Sequence, residues 1–248
     1  CAVRRDADGR FRFADLAPST HANLAAFHPI EGLAVRAGLV LDPEAPLPAG
    51  LKKVAVAVEC FHKASLVHDD IEDGDAERRG RPTLWVRDGI PQAINTGDAL
   101  FTLSRVALHR LSALGFSDRR VLRLMRLYDE TCLALCEGQY IDIYTGEHDV
   151  TMSVELYLDM IGRKTAALIA GSVEAGAVLA TDDDAVIARY RAFGWALGLA
   201  FQVNDDLLGI WGEEERTGKV PTDLLNRKKT LPVIYAFEHA TPDDRALL

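Results

Sequence analysis

From about residue 20 onward, apolar residues recur at helical spacing, and no run of the alternating pattern that marks a half-buried strand interrupts them. Such spacing places the apolar side chains on one face of a 3.6-residue turn, so each segment buries itself only by packing that face on another helix. The chain therefore reads as all-α, a single bundle of long helices. Candidate helices lie near 21–41, 51–73, 92–113, 118–145, 153–180, 183–210 and 229–240, separated by short breaks rich in Gly, Pro and Asp. Local start signals support three of them: Ser117-Asp118, Ser153 with Glu155, and Thr181 followed by Asp182 to Asp184. Residues 1–20, with Arg4, Arg5, Asp6 and Asp8 around Gly9, read as an irregular segment, and residues 21–248 as one helical domain. The sequence begins at Cys1 without Met and ends at Leu248 inside a helical pattern, so truncation at one or both ends is expected.

Composition narrows the function. With 48% hydrophobic and 26% charged residues the chain is an ordinary globular one, and a formal charge of −9 argues against a general nucleic-acid binder. Cys1, Cys60, Cys132 and Cys136 show no CxxC spacing and read as free thiols, which suits a reducing cytoplasm. No stretch approaches the roughly 18 uninterrupted apolar residues of a membrane span.

The acidic residues cluster. The segment from Glu59 to Thr83 reads ECFHKASLVHDDIEDGDAERRGRPT and sets Asp69, Asp70, Glu72, Asp73 and Asp75 at the end of an apolar helix. Carboxylates four apart on a helix project about 40° from each other, so Asp69 and Asp73 share a face with Asp70 at its shoulder. Like charges there repel, and a cation relieves them. Oxygen ligands of this kind suit magnesium, which usually completes its shell with substrate phosphates. His62 lies seven residues before Asp69 on the same face, with Ser65 between. Arg78, Arg79 and Arg81 follow in a Gly-containing loop suited to a phosphate.

Far downstream, GLAFQVNDDLLGIWG from Gly198 to Gly212 interrupts another apolar helix with Asp205 and Asp206, one turn after Gln202. Buried carboxylates are heavily penalised unless they meet a cation, a cavity or a basic partner. Two acidic pairs on separate long helices can face each other across the mouth of a bundle.

HDDIEDGDAERRGRPT resembles the first Asp-rich motif of the trans-isoprenyl diphosphate synthases, and FQVNDDLLGIWG resembles the second. Weaker pieces fall in the same order: NTGD at Asn95–Asp98, GQYID with Gln139 and Asp142, YLDMIGRKT at Tyr157–Thr165, and TGKVPTDLLNRKKTLP from Thr217 to Pro232. The resemblance covers about residues 55 to 237 and implies the isoprenoid synthase fold. It implies that Asp69, Asp70, Asp73 and Asp205 bind Mg2+ with Asp206 in support, and that Lys164, Lys219 and Lys228 or Lys229 bind an allylic diphosphate. By the same resemblance His62 and Arg79, with Arg78 beside it, hold the diphosphate of isopentenyl diphosphate, and Thr165 and Gln202 lie beside the reacting carbons. Taken singly, Gln139 with Asp142 would equally suit a helix-packing pair, Lys228 and Lys229 a charged surface, and His62 a core histidine.

Two departures matter. The family's GKRxRP motif, which grips isopentenyl diphosphate, has no counterpart in FHPIEGLAVRAG from Phe27 to Gly38, where Arg36 alone is basic. Gly209 stands where the second motif would carry its third carboxylate. A chain-elongating prenyltransferase is the leading expectation. The alternatives are a class I terpene cyclase or other prenyltransferase on the same fold, and a non-catalytic partner subunit. Small residues before the first motif, Ala64 and Ser65, imply an open tunnel and a product of geranylgeranyl length or longer. An aromatic content of 7% gives a cyclase pocket little support. A homodimer through the 92–113 helix is also expected from the resemblance.

Overall fold

The computed structural model describes residues 2–5, 11–14, 49–148, 150–212, 223–224, 228–241 and 244. The chain divides into two compact units, Cys1–Leu47 and Pro48–Leu248. In the first, β1 (Ala2–Arg5) pairs antiparallel with β2 (Phe11–Ala14), Val3 opposite Phe13 and Arg4 opposite Arg12. An irregular segment was expected there. An Asp8-Gly9 pair between two short runs containing Val and Phe is in fact a hairpin signal. The helix expected at 21–41, Arg36 and Lys219 lie outside the described residues.

The second unit carries the helices: α1 (Ala49–Glu72), the short α2 (Leu84–Asp88), α3 (Ile90–His109), α4 (Asp118–Glu147), α5 (Val154–Ile161), α6 (Ala167–Ala180), α7 (Asp184–Trp211) and α8 (Leu231–His239). It is all-α as expected. Its one pair of strands among the described residues is a two-residue ladder, β3 (Glu77–Arg78) with β4 (Arg81–Pro82), between α1 and α2. Caps form where the sequence signalled them: the Ser117 hydroxyl accepts from the Arg120 amide, and Ser153 from that of Leu156. At the third start the cap is Asp183, within the run from Thr181 to Asp184, and it accepts from the Ala185 amide at 2.9 Å.

The apolar stripes of α1, α3, α4, α6 and α7 meet in one core containing Val54, Phe61, Leu108, Leu124, Tyr128, Val178 and Ile187. A satellite core, Met152, Tyr157, Met160, Ile161 and Ile234, ties α5 and α8 to the flank of α7. The predicted 153–180 helix is continuous in direction but interrupted by a π-helical segment, Gly162–Ala166, between α5 and α6. Packing holds it there. Gly138 of α4 meets the backbone of Arg163 and Lys164, Gly198 of α7 meets Ala166, and Gly162 faces the ring of Trp195. Three glycines thus bring neighbouring helices against this segment more closely than side chains would allow. Such bulges recur at functional sites.

Candidate active site

The last turn of α1 supplies the first acids. Asp70 is buried, Asp69 is half-buried and Asp73 is exposed just past the helix end. The chain then reverses through Arg79 and Gly80, both at positive φ (54° and 72°), the signature of a tight hairpin turn. Its first strand returns Arg78 onto the acids: Nε donates to Asp70 Oδ1 at 2.5 Å and Nη2 to Asp69 Oδ2 at 3.1 Å, with Asp75 at 3.9 Å. Arg78 was expected at a diphosphate. It pairs with the first acidic motif, the place where the spacing calls for a cation.

Burial raises the Asp70 carboxyl above its ordinary value, and Arg78 pulls against this without cancelling it. Asp73 is also raised, by burial and then by the charge of Asp69, with Lys164 opposing. Two strained carboxylates beside Asp69 are the electrostatic condition that a divalent cation relieves. The donor set of hard oxygens fits magnesium, which needs few protein ligands. Among the described residues no group of three or more His, Cys, Asp or Glu converges into a metal cage.

Helix α4 presents Gln139 and Asp142 to the same place. The Gln139 amide donates to Asp69 Oδ1 at 3.2 Å and to Glu72 Oε2 at 2.7 Å. Asp142 accepts from Lys164 Nζ at 2.6 Å, and Lys164 lies 3.6 Å from Asp69 Oδ1. The pair therefore lies against the first acidic motif and Lys164. Burial pushes the Lys164 ammonium down, but Asp142, Asp69 and Asp73 outweigh it and hold the pKa above the ordinary lysine value. Glu72 was not singled out as a site residue; its position one turn after Asp69 was the available signal.

The π-helical segment carries Lys164 and Thr165 together. Thr165 Oγ1 donates to Gln202 Oε1 at 2.9 Å, and Gln202 Nε2 donates to Asp206 Oδ1 at 3.0 Å. Asp206 is buried, and its other oxygen accepts from Tyr157 Oη at 2.5 Å and from the Leu231 amide at 2.9 Å. Burial and then the bond to Asp206 push the Tyr157 hydroxyl far up. Asp205, the neighbour of Asp206, is exposed.

The remaining described residues expected at the site include His62, Lys229 and Lys228. His62 is half-buried on α1; burial, and then the charge of Lys63, push its pKa below the usual histidine value, with Arg79 and Arg78 adding to this and Glu59 opposing. Lys229 was expected at a diphosphate, but its ammonium donates to the carbonyls of Thr145, His148 and Val150 around the C-terminus of α4. They lie at and just beyond the last turn of α4, where the helix leaves carbonyls without a following turn of amides, so a cation is held there as a cap. Lys228 lies 3.8 Å from Asp223. Where the second motif would carry its third carboxylate, a Cβ on Gly209 would fall 1.8 Å from Asp223 Oδ2, the far end of a side chain that can turn aside.

The family model described as polyprenyl synthetase matches residues 32–248. A geranylgeranyl diphosphate synthase of Mycobacterium tuberculosis is 48% identical over 187 residues, which is 74% of this chain and 51% of that one. A short chain isoprenyl diphosphate synthase of Methanothermobacter thermautotrophicus is 40% identical over 81% of this chain and 61% of its own length. The chain thus spans about half to three-fifths of these curated relatives. Among solved structures, a polyprenyl synthetase from Streptomyces coelicolor A3(2) superposes with a TM-score of 0.72 at 43% identity, covering 79% of this chain and 56% of that chain. A geranylgeranyl pyrophosphate synthetase from Pyrococcus horikoshii gives 0.74 at 36% identity, covering 78% and 58%.

Proposed function

Because the chain belongs to the polyprenyl synthetase family, we propose that it is a trans-prenyltransferase that condenses an allylic diphosphate with isopentenyl diphosphate. The observation that carries this reading is the position of Lys164. Its ammonium sits between Asp142 and Asp69 while the next residue, Thr165, reaches Gln202. A cation beside paired acids, one residue from two oxygen-bearing side chains, suits a reaction in which an anion leaves and a carbocation remains.

In the proposed reaction the allylic C–O bond breaks and pyrophosphate departs. A new C–C bond forms to the double bond of the acceptor, and a proton is lost. Lys164 stabilises the negative charge gathering on the leaving group, as would Lys219, which was expected at the same diphosphate. Magnesium, when held by Asp69, Asp70, Asp73 and Asp205, supplies further neutralisation of the diphosphate. Thr165 Oγ1 and Gln202 Oε1 turn oxygen lone pairs toward the electron-poor carbon. His62 and Arg79 hold the acceptor diphosphate. Arg78 must exchange its hold on Asp69 and Asp70 for this role as cation and substrate arrive.

The apolar side chains of Val54, Phe61, Leu124, Tyr128, Leu168 and Ala175 line a cavity of about 30 Å³ and would have to part to admit the growing hydrocarbon and keep water from the cation. Geranylgeranyl diphosphate or a longer chain is the proposed product. Ala64 and Ser65, small residues on α1, support it, as does the relative in Mycobacterium tuberculosis named for that product. Among the described residues no helix is long and apolar enough to cross a membrane. Exposed Ile90, Ile94 and Val106 on α3 suit the proposed homodimer.

The test is incubation of the protein with magnesium, a set of allylic diphosphates and labelled isopentenyl diphosphate, followed by identification of organic-soluble products before and after phosphatase. Elongated prenyl alcohols seen only after phosphatase are expected. Hydrocarbons or cyclic alcohols free of label would make the protein a cyclase, and no turnover a partner subunit.

A further inference from the structure

We propose that Asp206 is a positioning residue rather than a metal ligand: it fixes the orientation of the Gln202 side-chain amide so that the carbonyl oxygen, not the NH2 group, faces Thr165. The inference rests on the reading above, in which Thr165 and Gln202 flank the reacting carbons.

An amide side chain has two faces of opposite polarity and nearly equal shape, and its partners decide which way it lies. At Gln202 one partner is decisive. Asp206 Oδ1 is 3.0 Å from Gln202 Nε2, and an ionised carboxylate only accepts, so the NH2 group must lie on that side. The carbonyl oxygen is thereby delivered to Thr165 Oγ1, 2.9 Å away. The opposite orientation would set two acceptors against each other at Asp206 and aim partial positive charge toward a developing carbocation.

Asp206 is itself held so that it cannot turn to other work. Tyr157 of α5 donates to Oδ2 at 2.5 Å, and the Leu231 amide, at the start of α8, donates to the same oxygen at 2.9 Å. The carboxylate is 6% exposed and joins three helices. It accepts hydrogen bonds on both oxygens while Asp205 beside it stands in solvent. The two acids of the second motif thus divide the labour. Asp205 would hold the cation, and Asp206 sets the sign of the electrostatic field at Thr165 through Gln202.

The experiment compares Asp206→Asn, Tyr157→Phe and Asp205→Asn with the parent protein. An asparagine at 206 can offer its own NH2 to Gln202 and so allows the amide to invert. Asp206→Asn is expected to lower kcat on the order of 100-fold, as when an oriented dipole is lost from an active site. KM for the allylic diphosphate and the magnesium requirement should move less than about threefold. Asp205→Asn should raise the magnesium requirement about tenfold or more. Tyr157→Phe removes a bond to the far oxygen only, and should lose less than about tenfold in kcat even where its melting temperature falls as much as that of Asp206→Asn. Equal kcat losses in these two variants, or a magnesium requirement in Asp206→Asn matching that of Asp205→Asn, would overturn the proposal. A readout independent of turnover is the side-chain 15N–1H pair of Gln202 in glutamine-labelled protein, assigned with Gln202→Leu. Slow exchange of those protons in the parent and in Tyr157→Phe is expected, and exchange as fast as in a solvated glutamine overturns the orientation. A parent protein with slow exchange but no prenyl transfer would retire the functional reading and leave the orientation standing.

Discussion

Gly138 packs directly on the backbone of Lys164: a Cβ at residue 138 would lie 2.3 Å from the Lys164 amide nitrogen and 2.8 Å from the Arg163 carbonyl carbon. The obstruction is backbone and cannot rotate away, so Gly138→Ala must displace either α4 or the π-helical segment. Overpacking of this kind costs about 1–3 kcal/mol. The same shift carries Lys164 away from Asp142, so prenyl transfer should fall further than the loss of folded protein accounts for. Calorimetric melting alongside kinetics measured well below the melting temperature checks this; unchanged turnover in a destabilised variant would mean that the close approach serves stability alone.

The relation of Gly209 to Asp223 predicts the outcome of restoring the missing carboxylate. Gly209→Asp places a Cβ where Asp223 Oδ2 now sits, 1.8 Å away, and adds a like charge. Because the Asp223 carboxylate can turn aside where the backbone at Gly138 cannot, destabilisation at the low end of the overpacking range, about 1 kcal/mol, is expected, although the variant completes the family's motif. Because the obstruction is one side chain, Gly209→Asp combined with Asp223→Gly should recover most of the loss, a coupling that denaturant melts of the single and double variants measure. Additive losses would show that the two positions do not compete for space.

These two glycines also show where sequence reading stops. The acids at Asp69, Asp70, Asp73, Asp205 and Asp206 were legible because carboxylates in apolar helical runs are conspicuous within a few residues of chain. The helices were legible through periodicity, and Ser117 and Ser153 marked their starts. The π-helical turn was not, since over Gly162–Ala166 its period differs too little from 3.6 to leave a pattern, and its cause lies on other helices at Gly138 and Gly198. Asp206 and Tyr157 are 49 residues apart, and no local signal says that a carboxylate beside Asp205 turns inward to a tyrosine. Lys229 is ambiguous for the same reason. A lysine near a diphosphate motif and a lysine capping the carbonyls of Thr145 and Val150 look alike until the helix ends are placed.

His62 gives a pH dependence with a definite sign. Burial depresses its folded pKa below the value of 6.5 for an unperturbed histidine. As pH falls the unfolded chain takes up this proton first, so His62 contributes stability that is full above the unfolded pKa and lost as pH drops through the folded one. Between about pH 7.5 and 5 the parent should therefore lose more stability than His62→Gln, by urea denaturation at each pH. Parallel curves would sink the assignment. A neutral His62 would also meet the acceptor diphosphate as an N–H donor rather than as a cation.

The length of the product should answer to Phe61. Its ring packs edge-on to Tyr128 with centroids 5.3 Å apart and to Phe101 at 6.0 Å, and all three belong to the core around the apolar cavity. The Tyr128 hydroxyl is bonded to buried Ser104, so this aromatic group is anchored rather than free to swing aside. Ala64 and Ser65, on the next turn of α1, are small, which makes the aromatic group the first bulky boundary a growing chain would meet on this helix. Phe61→Ala removes part of that boundary at a cost of about 3–5 kcal/mol, and Phe61→Leu removes less at a smaller cost. Both variants are expected to shift the phosphatase-released alcohols to longer chains, with Ala exceeding Leu, while the first condensation proceeds at the parent's rate. An unchanged product spectrum in a folded Phe61→Ala protein would place the boundary elsewhere in the bundle and leave Phe61 a core residue only.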